Sequence, residues 1–242
     1  MTTSTEERSR GGIATTQVEY QMRFRDIVAR ASARPEAVLD DQKPLGPFVT
    51  VSREMASGGA DVARRVADRL GWAVLDKELV DRLASDLELE PGVLGLLDET
   101  RATWFSETLL NLFNSRLVAQ RSYVELVGKV VALAASAEPI VVVGRGAHLI
   151  LPADRGVRAR IIAPWTTRVS WLVEAERLEA ASAEKMIREI DADRQGFIKR
   201  NFRCDPSDAS LYDLVLNTES LGRDGCVELI VQALALRGHV DR

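Results

Sequence analysis

Short apolar runs alternate with amphipathic stretches along most of the chain. The clearest run is Ile140–Val143, which stands between Pro139 and Gly144. A continuous apolar run of this kind is typical of a strand buried on both faces of a parallel sheet. Further β-rich runs predict four more strands, at Phe48–Val51, Ala73–Leu75, Arg158–Ala163 and Tyr212–Asn217.

Between the predicted strands, apolar residues recur at helical spacing. Val62, Val66 and Leu70 recur every four residues with charged residues between them, and Gly71 gives a natural helix stop. Comparable patterns predict helices at about 77–87, 104–137 (as two helices), 165–180, 182–200 and 222–236. Strands that alternate with helices predict an α/β fold, with a parallel sheet of about five strands and helices on both faces.

The first 47 residues differ from the rest and are interpreted as an N-terminal arm. Residues 1–17 are polar, 18–32 carry a helical pattern, and the prolines within 33–47 indicate a linker. The arm, flexible or helical, docks on the domain formed by 48–242, contacts another subunit or protein partner, or remains a tail. The sequence leaves these alternatives open.

Composition and charge narrow the function classes. The 242 residues are 46% hydrophobic with a net charge of -4, an ordinary globular balance that argues against a nucleic-acid binder. The two cysteines are too few for a disulfide scaffold or a zinc cluster. No apolar run approaches the roughly 20 residues of a membrane helix, and no signal sequence is recognisable, so we expect a cytoplasmic protein.

Residues 49–61 place a glycine-containing turn between a predicted strand and a predicted helix. Such a turn directs backbone N–H groups and a helix N-terminus at an anion. A lysine-bearing phosphate loop follows the pattern GxxxxGK[ST]. Here Gly58 can serve as the late glycine, but Gly59 stands at the lysine position and Ala60 follows it. Judged by these residues alone, a tight turn before a helix explains the pattern as well.

The same segment resembles the opening of the cytidylate kinase-like family. The stretch VTVSREMASGGADVARRVADRLGWAVLDKEL contains that family's S-R-E-x-x-S-G-G loop, which also lacks the lysine, and its D-[KR]-E-L element. Further matching segments follow in order over about residues 48–236: Val143–Ala147, Ile162–Pro164 with Arg168, Asp191 with Arg194, and Tyr212–Thr218. The resemblance implies a P-loop kinase fold that uses ATP and Mg²⁺ to phosphorylate a nucleoside monophosphate such as CMP, or another small phosphate acceptor.

The resemblance also implies site residues. Those expected to hold ATP are Ser52, Arg53, Ser57, Gly58, Gly59, Ala60 and Asp61. The arginines expected to contact phosphate in catalysis are Arg53, Arg145, Arg168 and Arg194, because a guanidinium binds phosphate oxygens in pairs. Asp76, Arg145 and Asp191 are expected to contact the acceptor. Each of these charges could instead form a structural salt bridge or lie on the surface.

Several alternatives stay open. Asp61 and Glu54 could contact Mg²⁺, although for Asp61 we favour an interaction with the first helical turn, and no metal ligands are predicted. His148 is interpreted as a packed histidine among apolar neighbours. The apolar stripe from Trp104 to Phe113 is interpreted as core, with a homodimer face or a mobile segment that closes over the substrate as the alternatives. The alternative function is a weakly active or inactive nucleotide-binding module that acts through a protein partner of residues 1–47.

Overall fold

The computed structural model of this protein describes residues 18–30, 46–88 and 118–240. The polar lead, most of the predicted linker and the stripe from Trp104 to Phe113 lie outside the described residues. Of the two helices predicted over 104–137, only the part from 118 onward is described.

Five parallel strands form one sheet. They are β1 (Phe48–Arg53), β2 (Ala73–Leu75), β3 (Ile140–Val143), β4 (Gly156–Ile162) and β5 (Leu214–Asn217), in the spatial order β2-β3-β1-β4-β5. All four neighbouring pairs are parallel, which confirms the predicted α/β sheet. β1 lies at the centre, between β3 and β4.

Some strands begin or end at other residues than predicted, because pairing with the neighbouring strand, and not the apolar pattern, determines where they end. β1 continues past Val51 because Ser52 and Arg53 pair with Arg160 and Ile161 of β4. β4 likewise begins at Gly156, opposite Phe48. These polar or small residues carry no strand signal of their own, and the neighbouring strand holds them in the ladder.

Eight helices surround the sheet within the described segments. They are α1 (18–30), α2 (Gly59–Leu70), α3 (Lys77–Glu88), α4 (Val118–Ala137), α5 (Ala147–Ile150), α6 (Trp165–Glu176), α7 (Ala180–Phe202) and α8 (Thr218–Leu236), with a short 3-10 helix at Ala209–Leu211. None of them is both long and apolar enough to cross a membrane.

Helix boundaries follow local backbone chemistry. α6 ends at Glu176, earlier than predicted, because Arg177 adopts a left-handed conformation. α8 begins at Thr218 rather than 222, because the side chain of Asn217 accepts a hydrogen bond from the Glu219 N–H at 2.9 Å and caps the helix.

Two hydrophobic clusters occupy the two faces of the sheet. Along β1 the side chains alternate, so that Phe48 lies in the first cluster while Val49 and Val51 lie in the second. The first cluster is completed by α1, α3 and α4, and the second by α2 and α8, where Cys226 is buried. The helices therefore cover both faces.

The helix of the N-terminal arm packs into the first cluster. Tyr20, Phe24 and Ile27 are at most 3% exposed. The amide of Gln21 donates to Asp86 of α3 at 2.9 Å. Residues 18–30 therefore dock on the domain, which is one of the alternatives that the sequence left open for the arm.

Replacing Phe24 by alanine tests this docking. Removing a buried phenylalanine leaves a cavity, so we expect the free energy of unfolding to fall by about 3–5 kcal/mol. Met22 lies on the same helix but is 65% exposed, so Met22→Ala should change the value by no more than about 0.5 kcal/mol. Urea unfolding monitored by circular dichroism measures both, and equal small effects would contradict the docking.

Candidate functional site

A cavity of about 490 Å³ opens where the central strands end. Ser52 and Arg53 enter it from the end of β1, and Gly144–Gly146 from the turn after β3, while α7 closes the opposite side. In parallel sheets ligands bind at this edge, where strand ends leave space between the loops. The arginines that line the cavity are Arg53, Arg145, Arg160, Arg194 and Arg200.

Arg53 is a half-buried cation, and the carboxylates of Glu78 and Asp76 lie close enough to act on its charge. Among the described residues no acidic group forms a hydrogen bond or salt bridge with its side chain. Burial, followed by repulsion from Arg194, lowers the pKa of Arg53 to about 10. The guanidinium therefore stays charged at neutral pH, and a phosphate in the cavity would supply a counter-charge in direct contact.

Two glycines give Arg53 its space. A Cβ placed on Gly59 would lie 2.5 Å from the Cβ of Arg53, and one on Gly144 would lie 2.4 Å from its Nη1. Such distances are shorter than any real contact allows. Gly59 stands where a lysine-bearing loop has its lysine, so the arginine at 53 and a lysine at 59 exclude each other sterically.

The turn before α2 presents backbone donors. Gly58 adopts a left-handed conformation with φ 77°, and the N–H groups of Gly58, Gly59 and Ala60 have no acceptor among the described residues. Three consecutive free N–H groups at a helix N-terminus form a site for an anion. That these residues hold ATP stays a prediction.

Ser57, by contrast, supports the loop from inside. Its hydroxyl donates to the carbonyl oxygens of Glu54 at 2.9 Å and Ile161 at 3.2 Å, and the residue is fully buried. Thr218 donates to the Ser57 carbonyl at 2.7 Å. The side chain of Ser57 is therefore used within the fold, which corrects its predicted role as an ATP contact.

A buried salt-bridge network ties the loop to α7. The carboxylate of Asp191 accepts hydrogen bonds from the Met55 N–H at 2.7 Å and from Arg168 at 2.5 Å. Arg168 also contacts Glu54 at 3.6 Å, is only 7% exposed and lies outside the cavity lining. Its predicted contact with phosphate is corrected, because Arg168 does not line the cavity and its Nη1 is already hydrogen-bonded to Asp191.

Asp191 and Arg194 differ in what they can still bind. Asp191 lines the cavity but is committed to Met55 and Arg168, so positioning the loop replaces the predicted contact with the acceptor. Arg194 donates to the carbonyl of Arg53 at 3.3 Å and lies 4.0 Å from Asp191, which leaves most of its donors facing the cavity.

Arg145 reaches the cavity as predicted, in a rigid setting. It makes a two-point salt bridge with Asp81 of α3, in which Nε lies 3.0 Å from Oδ1, and it stacks against the rings of Tyr123 and Phe197.

Asp76 caps α3 by accepting a hydrogen bond from the Leu79 N–H at 2.9 Å, and it does not line the cavity. The predicted acceptor contact of Asp76 is corrected to this capping role.

His148 is packed, as predicted, but it also borders the cavity. Its ring stacks on Tyr212 with centroids 4.9 Å apart, and its Nδ1 lies 3.2 Å from the Ser52 hydroxyl. Burial, followed by the charges of Arg158 and Arg160, lowers the pKa of His148 to about 4. The imidazole is therefore neutral at pH 7 and adds no charge to the site.

The carboxylates near the loop are paired with arginines. Glu54 lies between Arg160 at 3.5 Å and Arg168, and Asp61 pairs with Arg65 at 2.9 Å in the first turn of α2, as favoured from the sequence. Within the described segments, no group of three acidic, histidine or cysteine side chains is placed to hold a metal ion.

Some lining residues gave no signal in the sequence. Asp81, Tyr123 and Phe197 surround the cavity or its arginines, yet each comes from a helix whose pattern predicts only packing or exposure. An aspartate one turn into a helix resembles any solvated charge. Only the packing of α3 and α4 beside the turn after β3 brings Asp81 and Tyr123 to Arg145.

Comparison with known proteins agrees with the fold. The model of the cytidylate kinase-like family matches residues 48–220. An uncharacterized protein from Eubacterium ventriosum has a similar crystal structure, with a TM-score of 0.65, 21% identity, and coverage of 78% of this chain and 98% of the other. Shikimate kinase from Acinetobacter baumannii, in complex with shikimate, gives a TM-score of 0.42 and 14% identity over 79% of this chain and 94% of its own. No curated protein matches the chain significantly.

The depressed pKa of His148 predicts a pH dependence of stability. Unfolded histidine has a pKa near 6.5, so between pH 6.5 and about 4 the unfolded chain binds a proton that the folded chain excludes. The free energy of unfolding should therefore fall on acidification, by about 2–3 kcal/mol at pH 4.5 from this residue alone.

Urea unfolding of the wild type and of His148→Gln from pH 7.5 to 4.5 isolates this contribution. The stability difference between the two proteins should shrink as the pH falls, because only the wild type loses stability through the imidazole. A difference that stays constant over this range would contradict the assignment.

Proposed function

Because the chain belongs to the cytidylate kinase-like family, we propose that it is a phosphotransferase that moves the γ-phosphate of ATP to a nucleoside monophosphate, with CMP as the first candidate. The observation that carries the proposal is Arg53, a half-buried cation at the end of the central strand, whose side chain has no hydrogen bond or salt bridge to a carboxylate among the described residues. A surface arginine needs no ligand, whereas a desolvated one without a carboxylate is stabilised by a bound anion.

The donor phosphates would bind at the turn before α2. The free N–H groups of Gly58, Gly59 and Ala60 point at an anion there, and the loop is fixed beneath by Ser57 and beside it by Asp191. A loop held in this way does not have to reorganise when charge develops on the transferred group, which is the main contribution a protein makes to phosphoryl transfer.

The acceptor would bind in the cavity. Its volume of about 490 Å³ lies in the range of small-molecule sites, roughly 300–1,000 Å³. Arg145 and Arg194 offer donors to a monophosphate, and the ring of Phe197 offers an apolar contact to a base. Arg53 lies between the turn and the cavity, where the transferred phosphoryl group would pass.

A second candidate function is a nucleotide-binding module that acts through a protein partner without efficient turnover. The observation that favours it is Gly59, which leaves the loop without the lysine that usually neutralises donor phosphates. The region before residue 48 would supply the partner contact. Activity measurements separate the two functions.

Phosphoryl transfer from ATP with Mg²⁺ should be detectable with one member of a panel of CMP, dCMP, UMP, AMP and GMP. Arg53→Met keeps the length of the side chain but removes its charge, so we expect turnover to fall by about 10²-fold or more. Arg155→Met is the matched control, because Arg155 lies in the exposed turn before β4.

Turnover by the wild type and Arg155→Met but not by Arg53→Met would support the kinase. Absence of turnover with every acceptor, despite ATP binding measured by calorimetry, would favour the binding module instead.

The steric exclusion between positions 53 and 59 gives a separate test. Gly59→Lys alone should weaken ATP binding by about tenfold or more, because its Cβ would meet that of Arg53 at 2.5 Å and displace the loop. Combining it with Arg53→Gly removes the clash and provides a lysine, so the double variant should bind ATP more tightly than either single variant. Additive losses in calorimetry would show that the two positions do not share the same space.

A further inference from the structure

A second arginine approaches the phosphate loop from α8. The Nε of Arg223 lies 3.0 Å from the position that a Cβ on Gly58 would occupy. Arg223 is not part of the cavity lining, unlike Arg53. It therefore contacts the loop at the residue where the free N–H groups begin.

The backbone of α8 holds Arg223 in this place. Gly222 interrupts the helix with φ 67° and ψ 167°, a conformation open almost only to glycine. Before this break, Thr218 donates to the Ser57 carbonyl at 2.7 Å, which fixes the first turn of α8 against the loop. The segment that carries Arg223 is thus anchored to the loop that would hold the donor phosphates.

The ion pair of Arg223 leaves the guanidinium available. Its Nη1 lies 3.3 Å from Asp61, but the same carboxylate oxygen accepts a shorter hydrogen bond from Arg65 at 2.9 Å. Arg64 lies 3.9 Å from the other oxygen of Asp61. Three guanidinium groups share this carboxylate, and the side chain of Arg223 is 43% exposed, so it can turn to another anion without leaving Asp61 unpaired.

We infer that Arg223 binds the phosphates of the nucleotide donor and supplies there the positive charge that a lysine at position 59 would supply. The inference rests on the proposed function, because it assumes that the donor occupies the turn before α2. The two arginines then divide the task of the missing lysine. Arg53 neutralises charge on the cavity side of the loop, and Arg223 does so on the side of α8.

A purely structural role is the alternative for Arg223. It would then only balance Asp61 and pack near Trp171, whose ring centroid lies 5.7 Å from its guanidinium. Arg65 is a matched control, because it also pairs with Asp61, carries the same charge and has the same side-chain exposure of 43%.

Calorimetric titration of ATP and of inorganic tripolyphosphate, each with Mg²⁺, tests the inference on Arg223→Gln, Arg223→Lys and Arg65→Gln. We expect Arg223→Gln to bind both ligands about tenfold or more weakly, which is the value of one charge-assisted contact. Arg223→Lys should recover most of this loss, and Arg65→Gln should stay within about threefold of the wild type. Unchanged melting temperatures would show that the variants are folded.

Three results would overturn the inference: ATP binding by Arg223→Gln within threefold of the wild type, equal losses in Arg223→Gln and Arg65→Gln, or a loss for ATP without one for tripolyphosphate. The first result would show that Arg223 does not contact the donor phosphates. The second would show that its charge acts only at long range, as that of Arg65 does. The third would show that Arg223 contacts the nucleoside and not the phosphates.

The proposed function fails separately. If the wild type and Arg65→Gln bind ATP, Arg223→Gln does not, and no acceptor is phosphorylated, the kinase is overturned while the role of Arg223 stands. If the wild type phosphorylates an acceptor and Arg223→Gln binds ATP normally, only the role of Arg223 is overturned. If the wild type binds neither ligand, both are overturned.

Discussion

Desolvation of the Arg53 guanidinium costs free energy, and no carboxylate among the described residues contacts it to offset this cost. The rest of the site is arranged around this constraint. A carboxylate partner would neutralise the guanidinium and repel a phosphate, so the protein meets this cost through the fold. Glycines at 59 and 144 make room for the side chain. The carboxylates of Glu54 and Asp191 pair with Arg168, which fixes the loop that carries Arg53.

The sequence predicted the fold well because the sheet is buried on both faces. Burial requires a continuous apolar run such as Ile140–Val143, and helices on both sides require the amphipathic patterns between the strands. The ends of elements were predicted less well. Ser52 and Arg53 belong to β1 through pairing with β4, and Asn217 starts α8 through a side-chain cap. The end of β1 and the start of α8 both depend on hydrogen-bond partners, and the periodicity of apolar residues does not reveal such partners.

The candidate site could be predicted only in part, because position near a strand end does not give the direction of a side chain. Arg53, Arg145 and Arg194 line the cavity as expected, whereas Arg168 and Asp76 occur in equally suggestive places and serve the scaffold. Only the three-dimensional structure distinguishes the charged residues that pair within the fold from those that face the cavity. The aromatic and acidic residues that surround Arg145 come from separate helices, so no local pattern marks them.

The choice of arginine at position 53 has a consequence for the range of conditions in which the site keeps its charge. Burial, followed by repulsion from Arg194, brings the pKa of Arg53 to about 10, below its usual value. A lysine has an ordinary pKa near 10.4, and the same burial and repulsion would lower it further, so a lysine would lose its charge at a lower pH than the arginine does. Lysine can also be acetylated, which removes its charge altogether. A guanidinium in this position keeps its positive charge through ordinary changes of pH, and acyl donors do not remove that charge as they can from a lysine.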